Sequence, residues 1–258
     1  MYVITGATGN IGSKTTDILL DRGEKVRVIG RNADRLRRFV ERGAEAAVGN
    51  LKDTAFLIKA FEGADAAFTM IPPEYATTDF RAYQREIGTS IATAVEKSGI
   101  KYVVSLSSQG AELQGGTGPI LGLREQEERL NRLHGADIMH LRPAYFMENL
   151  LMQIPLINRV GVAASAIRGD LKFAMIATRD IAAFVAERLV KRDFEGAWSW
   201  DLLGRRDVSL DEAFDVIGSA IARPGLKYVR LSYDEAAAGL REMGISADLA
   251  RLFVEMSR

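Results

Sequence analysis

The first 142 residues alternate short apolar runs with longer amphipathic stretches in a regular order. The apolar runs have the length of β-strands and cover residues 2–5, 25–30, 44–48, 64–71, 102–108 and 137–142. The stretches between them carry apolar residues at helical spacing and predict helices near 11–22, 33–42, 53–61, 79–98 and 122–134. Strands that alternate with helices in this way are typical of βαβ units, so the pattern predicts a doubly wound parallel sheet with helices on both faces.

Glycines support this alternation, because one falls just after each of the first five predicted helices. They are Gly23, Gly43, Gly63, Gly99 and Gly135. The residue that follows a helix often takes a left-handed conformation, which glycine adopts without steric cost. Five glycines at the predicted helix ends agree with the apolar pattern, and together they favour an α/β fold more strongly than any single motif does.

The pattern changes after Pro143. Residues 144–176 are irregular, a helix is expected from Thr178 as N-cap candidate, and a strand follows at 196–202. Three further helices are expected near 209–222, 233–243 and 246–257, with Ser209, Ser232 and Ser246 placed to cap them. We therefore expect a dinucleotide-binding domain at 1–150 and a small α+β lobe at 151–258, which is not independent and returns some segments to the first domain. Trp198 and Trp200 are expected in the core of that lobe.

Composition restricts the function classes. Of the 258 residues, 47% are hydrophobic and 26% charged, with 34 basic and 34 acidic side chains, so the chain is globular and bulk nucleic-acid binding is disfavoured. The absence of cysteine excludes disulfides and a thiol nucleophile, and the presence of only two histidines disfavours a histidine-based metal site. No apolar run approaches the roughly 20 residues that span a bilayer, so a soluble cytoplasmic protein, monomer or homodimer, is expected.

Three glycines stand at regular spacing between the first strand and the first helix, in GATGNIG at residues 6–12. Such a turn directs backbone N–H groups and a helix N-terminus at one point, which favours a diphosphate. Gly6 would let the chain turn, Gly9 would let phosphates approach, and Gly12 would let the helix pack closely. The alternative is a plain tight loop. The candidate diphosphate site comprises Gly6, Thr8, Gly9, Asn10, Ile11 and Gly12.

This turn, together with GRN at 30–32 and LRPAYFMENL at 141–150, resembles the NmrA-like branch of the atypical short-chain dehydrogenase/reductases. The resemblance covers most of the chain and is strongest for residues 1–150. It implies a Rossmann-type fold and a nicotinamide dinucleotide as cofactor. The branch includes NADPH-dependent quinone and dye reductases as well as non-catalytic redox-sensing regulators.

Arg31 follows the second strand at the position where NAD-binding proteins usually carry a carboxylate. A guanidinium there can clamp a 2′-phosphate that a carboxylate would repel, and Arg35 lies one helical turn further. The resemblance also associates this arginine with NADP(H). We therefore expect NADP(H) as the preferred cofactor and NAD(H) as an alternative, unless Arg31 simply faces water.

Further cofactor contacts are expected where later strands end, because ligands of doubly wound sheets bind at the carboxyl edge. Asn50 and Leu51 follow the third strand, and Asn50 stands where the family often has an aspartate that contacts adenine. Ile71 and Pro72 end the fourth strand, beside the expected nicotinamide ribose. Ser107, at the end of the fifth strand, would contact the ribose or a substrate carbonyl, or else only water.

The Tyr-x-x-x-Lys pair of the superfamily is absent from the fifth helix, so the usual carbonyl-reduction chemistry of the superfamily does not carry over to this chain. The resemblance places 145–149 at the substrate cleft, where Tyr145 is the best proton donor and Tyr145, Phe146 and Asn149 are candidate substrate contacts. The alternatives are that Phe146 and Met147 belong to the core under the small lobe and that Asn149 holds the loop backbone. Arg142 is expected to pair with Glu148 or Asp180.

Other polar side chains are expected to be structural. The EQEER run at 125–129 resembles a solvated helix face, His140 a buried strand residue and His134 a surface residue. Three functions follow from these observations. The first is an NAD(P)H-dependent oxidoreductase acting on a quinone, dye or similar conjugated acceptor, the second an NADP(H)-sensing regulator without turnover, and the third, weakest for want of the Tyr/Lys pair, a sugar-nucleotide epimerase.

Overall fold

The computed structural model describes residues 1–258. The chain has twelve strands, numbered in order: β1 (Tyr2–Ile4), β2 (Val26–Gly30), β3 (Glu45–Val48), β4 (Ala66–Thr69), β5 (Tyr102–Leu106), β6 (Asp137–Pro143), β7 (Tyr145–Phe146), β8 (Val162–Ser165), β9 (Phe173–Ile176), β10 (Ala197–Leu202), β11 (Asp207–Val208) and β12 (Lys227–Arg230).

Ten α-helices connect or follow these strands: α1 (Asn10–Asp21), α2 (Ala33–Val40), α3 (Thr54–Phe61), α4 (Phe80–Ser98), α5 (Ile120–Leu130), α6 (Ile154–Val160), α7 (Thr178–Lys191), α8 (Leu210–Ala220), α9 (Tyr233–Glu242) and α10 (Ala247–Met256). A 3₁₀ helix at Met147–Gln153 precedes α6.

The central sheet has seven parallel strands in the order β10-β6-β5-β4-β1-β2-β3. The strand order reverses between β1 and β4, and in doubly wound sheets this switch point opens a crevice at the carboxyl edge. The Rossmann-type prediction is confirmed, and the glycine-rich turn after β1 lies beside this switch point.

Helices cover both faces of the sheet, each over its own apolar core. One core takes Leu19 from α1, Phe39 from α2 and Val185 from α7. The other takes Phe61 from α3 and Ile91 from α4, with α5 packed against α4 on the same side. Because both faces are covered, the strands are apolar almost throughout, which is why they read as continuous runs in the sequence.

The two tryptophans lie elsewhere than expected. Helix α7 packs on α1, and β10 then pairs with β6 as the last strand of the main sheet. Trp198 and Trp200 do share a face, but that face covers the edge of the main sheet, where Trp200 stacks on Phe184 of α7 and stays 44% exposed. Their assignment to the core of the C-terminal lobe is wrong, because β10 joins the main sheet beside β6 instead of the small lobe.

The remaining segments form the small lobe. It contains the three-stranded sheet β11-β9-β7 and the two-stranded sheet β12-β8. Its core joins Ile157 of α6, Met175 of β9 and Phe214 of α8. Helices α9 and α10 pack back on the first domain, where Leu249 contacts Phe80 at the start of α4.

Most predicted helix ends are confirmed. The five glycines after helices have φ between 71° and 96°, and Ser209, Ser232 and Ser246 each accept a backbone N–H of the first turn of the helix that follows. Thr178 is the exception: the N-cap residue of α7 is Ala177, and Thr178 is the first helical residue. The N–H donors of this helix therefore need a partner from elsewhere in the chain.

The glycine-rich turn yields a test of the close packing of α1. A Cβ on Gly12 would lie 2.3 Å from the Gly6 carbonyl oxygen, which belongs to the backbone and cannot rotate away. Gly12→Ala should lower the free energy of unfolding by about 1–3 kcal/mol in urea titrations.

Gly239, in the interior of α9, is a matched control because a Cβ on this residue would have no neighbouring atom within 4 Å. Gly239→Ala should raise the free energy of unfolding by about 0.5–1 kcal/mol, since alanine has the higher helix propensity. A Gly12→Ala protein as stable as the wild type would show that α1 does not approach the turn so closely.

Candidate functional site

The turn between β1 and α1 is held in a tight conformation. Gly6 has φ +59°, which glycine adopts most readily, and its carbonyl oxygen accepts the Gly9 N–H at 2.9 Å. Gly12 packs onto the same carbonyl. The first turn of α1 is therefore brought directly against the end of β1, at the carboxyl edge of the sheet.

Helix α1 differs from its neighbours in having no side-chain cap. Asn32, Asp53 and Asp79 cap α2, α3 and α4, whereas Gly9 precedes α1 and no acidic side chain lies in its first turn. The first amides of a helix have no intrahelical acceptor, so this end carries free N–H donors and the positive end of the helix dipole.

The six residues predicted for the diphosphate site meet at this helix end. Thr8, Gly9 and Asn10 are exposed, so their backbone is open to a ligand, whereas Ile11 is buried and offers only its amide. The structure thus provides backbone donors at the start of α1, and the close approach of Gly12 to the Gly6 carbonyl holds them against the end of β1. Such an arrangement fits a diphosphate group.

Arg31 lies just beyond β2 and its side chain is 73% exposed. Its nearest carboxylate is Glu74, with 3.6 Å between Nη1 and Oε2, and an exposed pair at this distance contributes little to stability. Asn32 is committed to capping α2 by accepting the N–H groups of Asp34 and Arg35. Arg31 therefore stands as the available cation at the tip of β2.

The other predicted strand-end contacts have structural roles of their own. The Asn50 side-chain oxygen accepts the Lys52 N–H at 3.1 Å, so one acceptor position of the predicted adenine contact is already used. Leu51 is buried in the core and Ile71 packs against the same core, while Pro72 is half-buried. These four residues stay predictions as cofactor contacts.

Ser107 follows the end of β5 and is buried together with Glu127 of α5, and both lie beside the half-buried Arg142 of β6. The Ser107 hydroxyl donates to Glu127 Oε1 at 2.5 Å, and Arg142 donates from Nε to Oε1 at 2.9 Å and from Nη2 to Oε2 at 2.5 Å. Burial alone would raise the pKa of Glu127, but the hydrogen bonds from Arg142 and Ser107 hold that pKa below its usual value.

This cluster corrects two expectations. The 125–129 run is not a solvated helix face throughout, because Glu127 is only 5% exposed and Gln126 is buried beside it. Arg142 pairs with Glu127 rather than with Glu148 or Asp180. The physical reason is that α5 lies over the ends of β5 and β6. The Glu127 carboxylate therefore contacts Arg142, a residue of another element fifteen positions along the chain.

His140 is confirmed as a buried, hydrogen-bonded strand residue. Its Nε2 lies 2.7 Å from the Asn131 side-chain oxygen, and burial lowers the pKa of His140 to about 4. The imidazole is therefore neutral at physiological pH and adds no charge beside Glu127. His134 is exposed, as expected.

Tyr145 and Phe146 point to opposite sides of β7, as neighbouring residues of a strand do. Tyr145 packs edge-on against Phe173 of the small lobe, with 5.4 Å between ring centroids, and burial raises the pKa of Tyr145 to about 12. Phe146 packs against the main core, whereas Met147 is exposed rather than in the core. The two rings therefore do not form one surface on which a flat substrate could stack.

Glu148 holds the segment after β7 to the start of α7. Its carboxylate accepts the Thr178 N–H at 3.0 Å and the Thr178 hydroxyl, so it caps α7 from thirty residues upstream. Lys14 of α1 donates to the same hydroxyl at 3.3 Å and to the Asn10 carbonyl at 2.9 Å. Sequence reasoning missed Lys14 and Glu148 in these roles, and Asn149 is half-buried next to them.

Metal-binding clusters and membrane spans are both absent. The structure contains no group of three or more histidine, aspartate or glutamate side chains that could hold a metal ion. None of its helices combines the length and the apolar character that crossing a bilayer requires.

Comparison with characterised proteins gives relatives along nearly the whole chain. The NAD(P)H azoreductase of Xenophilus azovorans is 27% identical over 258 residues, which cover 99% of this chain and 86% of the relative. A (4-alkanoyl-5-oxo-2,5-dihydrofuran-3-yl)methyl phosphate reductase of Streptomyces griseus is 29% identical over 240 residues, which cover 93% of this chain and 80% of the relative.

Solved structures show the same fold. The NADPH complex of an Escherichia coli NADPH-dependent quinone oxidoreductase superposes with a TM-score of 0.85 at 24% identity, over 100% of this chain and 88% of the other. The NADP(H) complex of Citrobacter sp. triphenylmethane reductase gives 0.82 at 17% identity, over 99% and 89%. The NmrA-like family matches residues 2–196, and the chain belongs to this family.

Proposed function

We propose that the protein is an NAD(P)H-dependent oxidoreductase that transfers hydride to a quinone, a dye or a similar conjugated acceptor, with NADP(H) preferred. The observation that carries the proposal is the uncapped start of α1 in the glycine-rich turn, with Arg31 at the neighbouring strand tip. A reduced nicotinamide dinucleotide, when bound, would supply the hydride.

The residues present fit such a cofactor. The amides around Gly9 would hold the diphosphate, and the Arg31 guanidinium would pair with a 2′-phosphate. Because Arg31 is exposed and only loosely paired with Glu74, NAD(H) stays an alternative cofactor.

The relatives support the reaction class. The similar proteins from Xenophilus azovorans and Streptomyces griseus are both named as reductases, and each aligns over more than nine-tenths of this chain. A conjugated acceptor delocalises the negative charge that follows hydride transfer. The absence of a Tyr-x-x-x-Lys pair is therefore compatible with turnover, because positioning supplies much of the rate.

One observation favours a second candidate, an NADP(H)-sensing regulator without turnover. Tyr145, the best candidate proton donor, faces the small lobe and packs on Phe173. An assay of NADPH oxidation with conjugated acceptors separates the two functions.

A small-molecule acceptor is the proposed partner. Cytoplasmic location and a monomeric or homodimeric state stay predictions from the sequence.

The proposed reaction is tested by following the loss of NADPH absorbance with a panel of quinones, azo dyes and triarylmethane dyes. Turnover of at least one conjugated acceptor is expected, whereas a simple aliphatic ketone should react far more slowly because the negative charge of its product is localised on one oxygen. Tight NADPH binding without turnover of any acceptor would favour the sensor.

Arg31→Asp tests cofactor choice. Removing the guanidinium and adding a carboxylate should weaken NADPH binding by at least about tenfold and invert the preference toward NADH, by calorimetric titration of both dinucleotides. Glu74→Gln is the control, because it breaks the same ion pair but keeps the cation, and it should not weaken NADPH binding. An unchanged ratio of the two affinities in Arg31→Asp would show that Arg31 is only solvated.

Tyr145→Phe tests the proposed proton donor. If its hydroxyl donates, kcat should fall by about tenfold, less than for general acids acting on a localised charge. Tyr228→Phe is the control in the same lobe, since the Tyr228 hydroxyl is engaged with Ser165 and the Ile167 carbonyl. Equal kcat values for the wild type and Tyr145→Phe would reduce Tyr145 to a packing role.

A further inference from the structure

Three elements of the first domain meet in one buried polar cluster at the carboxyl edge of the sheet. Ser107 comes from the end of β5, Arg142 from the end of β6, and Glu127 reaches both from α5. In the sheet, β5 is the neighbour of β4, and the switch point lies between β4 and β1. Ser107 is therefore one strand away from the switch point.

The charge state of the cluster follows from its hydrogen bonds. Both Glu127 oxygens receive donors from the Arg142 guanidinium, which is a bidentate pair of the strong kind. An ionised carboxylate only accepts hydrogen bonds, so the Ser107 hydroxyl must donate its proton to Glu127. The remaining lone pairs of Ser107 Oγ can then only accept.

The cluster is poorly explained by stability alone. Glu127 is buried and the Arg142 side chain is 17% exposed, so both charges lose much of their hydration, and apolar side chains of similar volume often give equal or greater stability. The Glu127–Arg142 pair would also be complete without Ser107. What the third member adds is a hydroxyl of fixed orientation at the strand end where ligands of this fold bind.

We propose that Glu127 is a positioning residue that fixes Ser107 as a hydrogen-bond acceptor for the nicotinamide-riboside half of the cofactor. This inference rests on the proposed function. Ser107 accepts from an N–H or O–H group of that half and does not protonate the acceptor substrate. Through Arg142 the same carboxylate anchors the end of β6, from which the Tyr145–Phe146 strand continues.

The proposal is tested by calorimetric titration with two ligands, NADPH and 2′,5′-ADP. The second ligand carries the 2′-phosphate and adenosine but lacks the nicotinamide riboside. Ser107→Ala and Glu127→Gln should each weaken NADPH binding by about fivefold to tenfold, the loss of one hydrogen bond to an oriented group. Neither should change the affinity for 2′,5′-ADP by more than about twofold.

Glu128→Gln is the matched control, because Glu128 is the exposed neighbour on α5 and pairs only with Arg124. It should leave both affinities at their wild-type values. In the double variant of Ser107 and Glu127, NADPH affinity should match that of the single variants, because one residue acts through the other.

Equal losses for NADPH and 2′,5′-ADP would overturn the proposal, since they would indicate general damage to the fold. Unchanged NADPH binding by Ser107→Ala would also overturn it. Weakened NADPH binding by Ser107→Ala together with unchanged binding by Glu127→Gln would overturn the positioning role of Glu127. If Glu127→Gln does not fold, Glu127→Asp takes its place, because its shorter side chain withdraws the carboxylate from Ser107, and unchanged NADPH binding by that variant would overturn the role in the same way. Failure of the wild type to bind NADPH would instead refute the proposed cofactor and this inference with it, and absent turnover with intact binding would refute only the reductase.

Discussion

The contact between Gly12 and the Gly6 carbonyl is the constraint on which the candidate site depends. It brings the first turn of α1 against the end of β1, at the switch point of the sheet. Because Gly9 provides no side-chain cap, the amides of that turn keep their hydrogen-bonding capacity for a ligand. A larger residue at Gly12 would displace the helix and with it the donors.

Two carboxylates attach the segment that begins at Tyr145 to the main sheet and to α7. Glu127 holds the end of β6 through Arg142, and Glu148 holds the residues after β7 to the start of α7. Lys14 joins the second link to α1 through Thr178. The segment that begins at Tyr145 is thus tied to the main sheet before it and to α7 and α1 after it, which gives residues 146–149 a structural role.

The fold was largely predictable because its signals are local. Apolar runs, glycines after helices and serine caps each act within a few residues, and all of them agreed. The contacts of Glu127 and Glu148 were not predictable in this way, because their partners lie in other elements. The sequence did contain one indication that Glu127 is buried. Its position in the helix places it on the same face as Gly122, Gln126 and Leu130, which are buried. A carboxylate on such a face requires a buried cation, and Arg142 was the available one.

The glycine-rich turn was predictable because the backbone alone forms that part of the candidate site. The parts that depend on contacts between side chains of different elements were less predictable. Ser107 was expected to face ribose, substrate or water, and its engagement with Glu127 depends on how α5 crosses two strands. Likewise the alternation of Tyr145 and Phe146 became informative only when their two sides were known, the small lobe on one and the main core on the other.

The central claim is that the turn after β1 binds the diphosphate of a nicotinamide dinucleotide, and calorimetric titration of the wild type and Gly9→Val with NADPH tests it most directly. We expect saturable binding to the wild type and its loss in Gly9→Val, with both proteins folded by circular dichroism, because the valine side chain occupies the place of the phosphates. No binding to the wild type at millimolar NADPH, or undiminished binding to Gly9→Val, would contradict it.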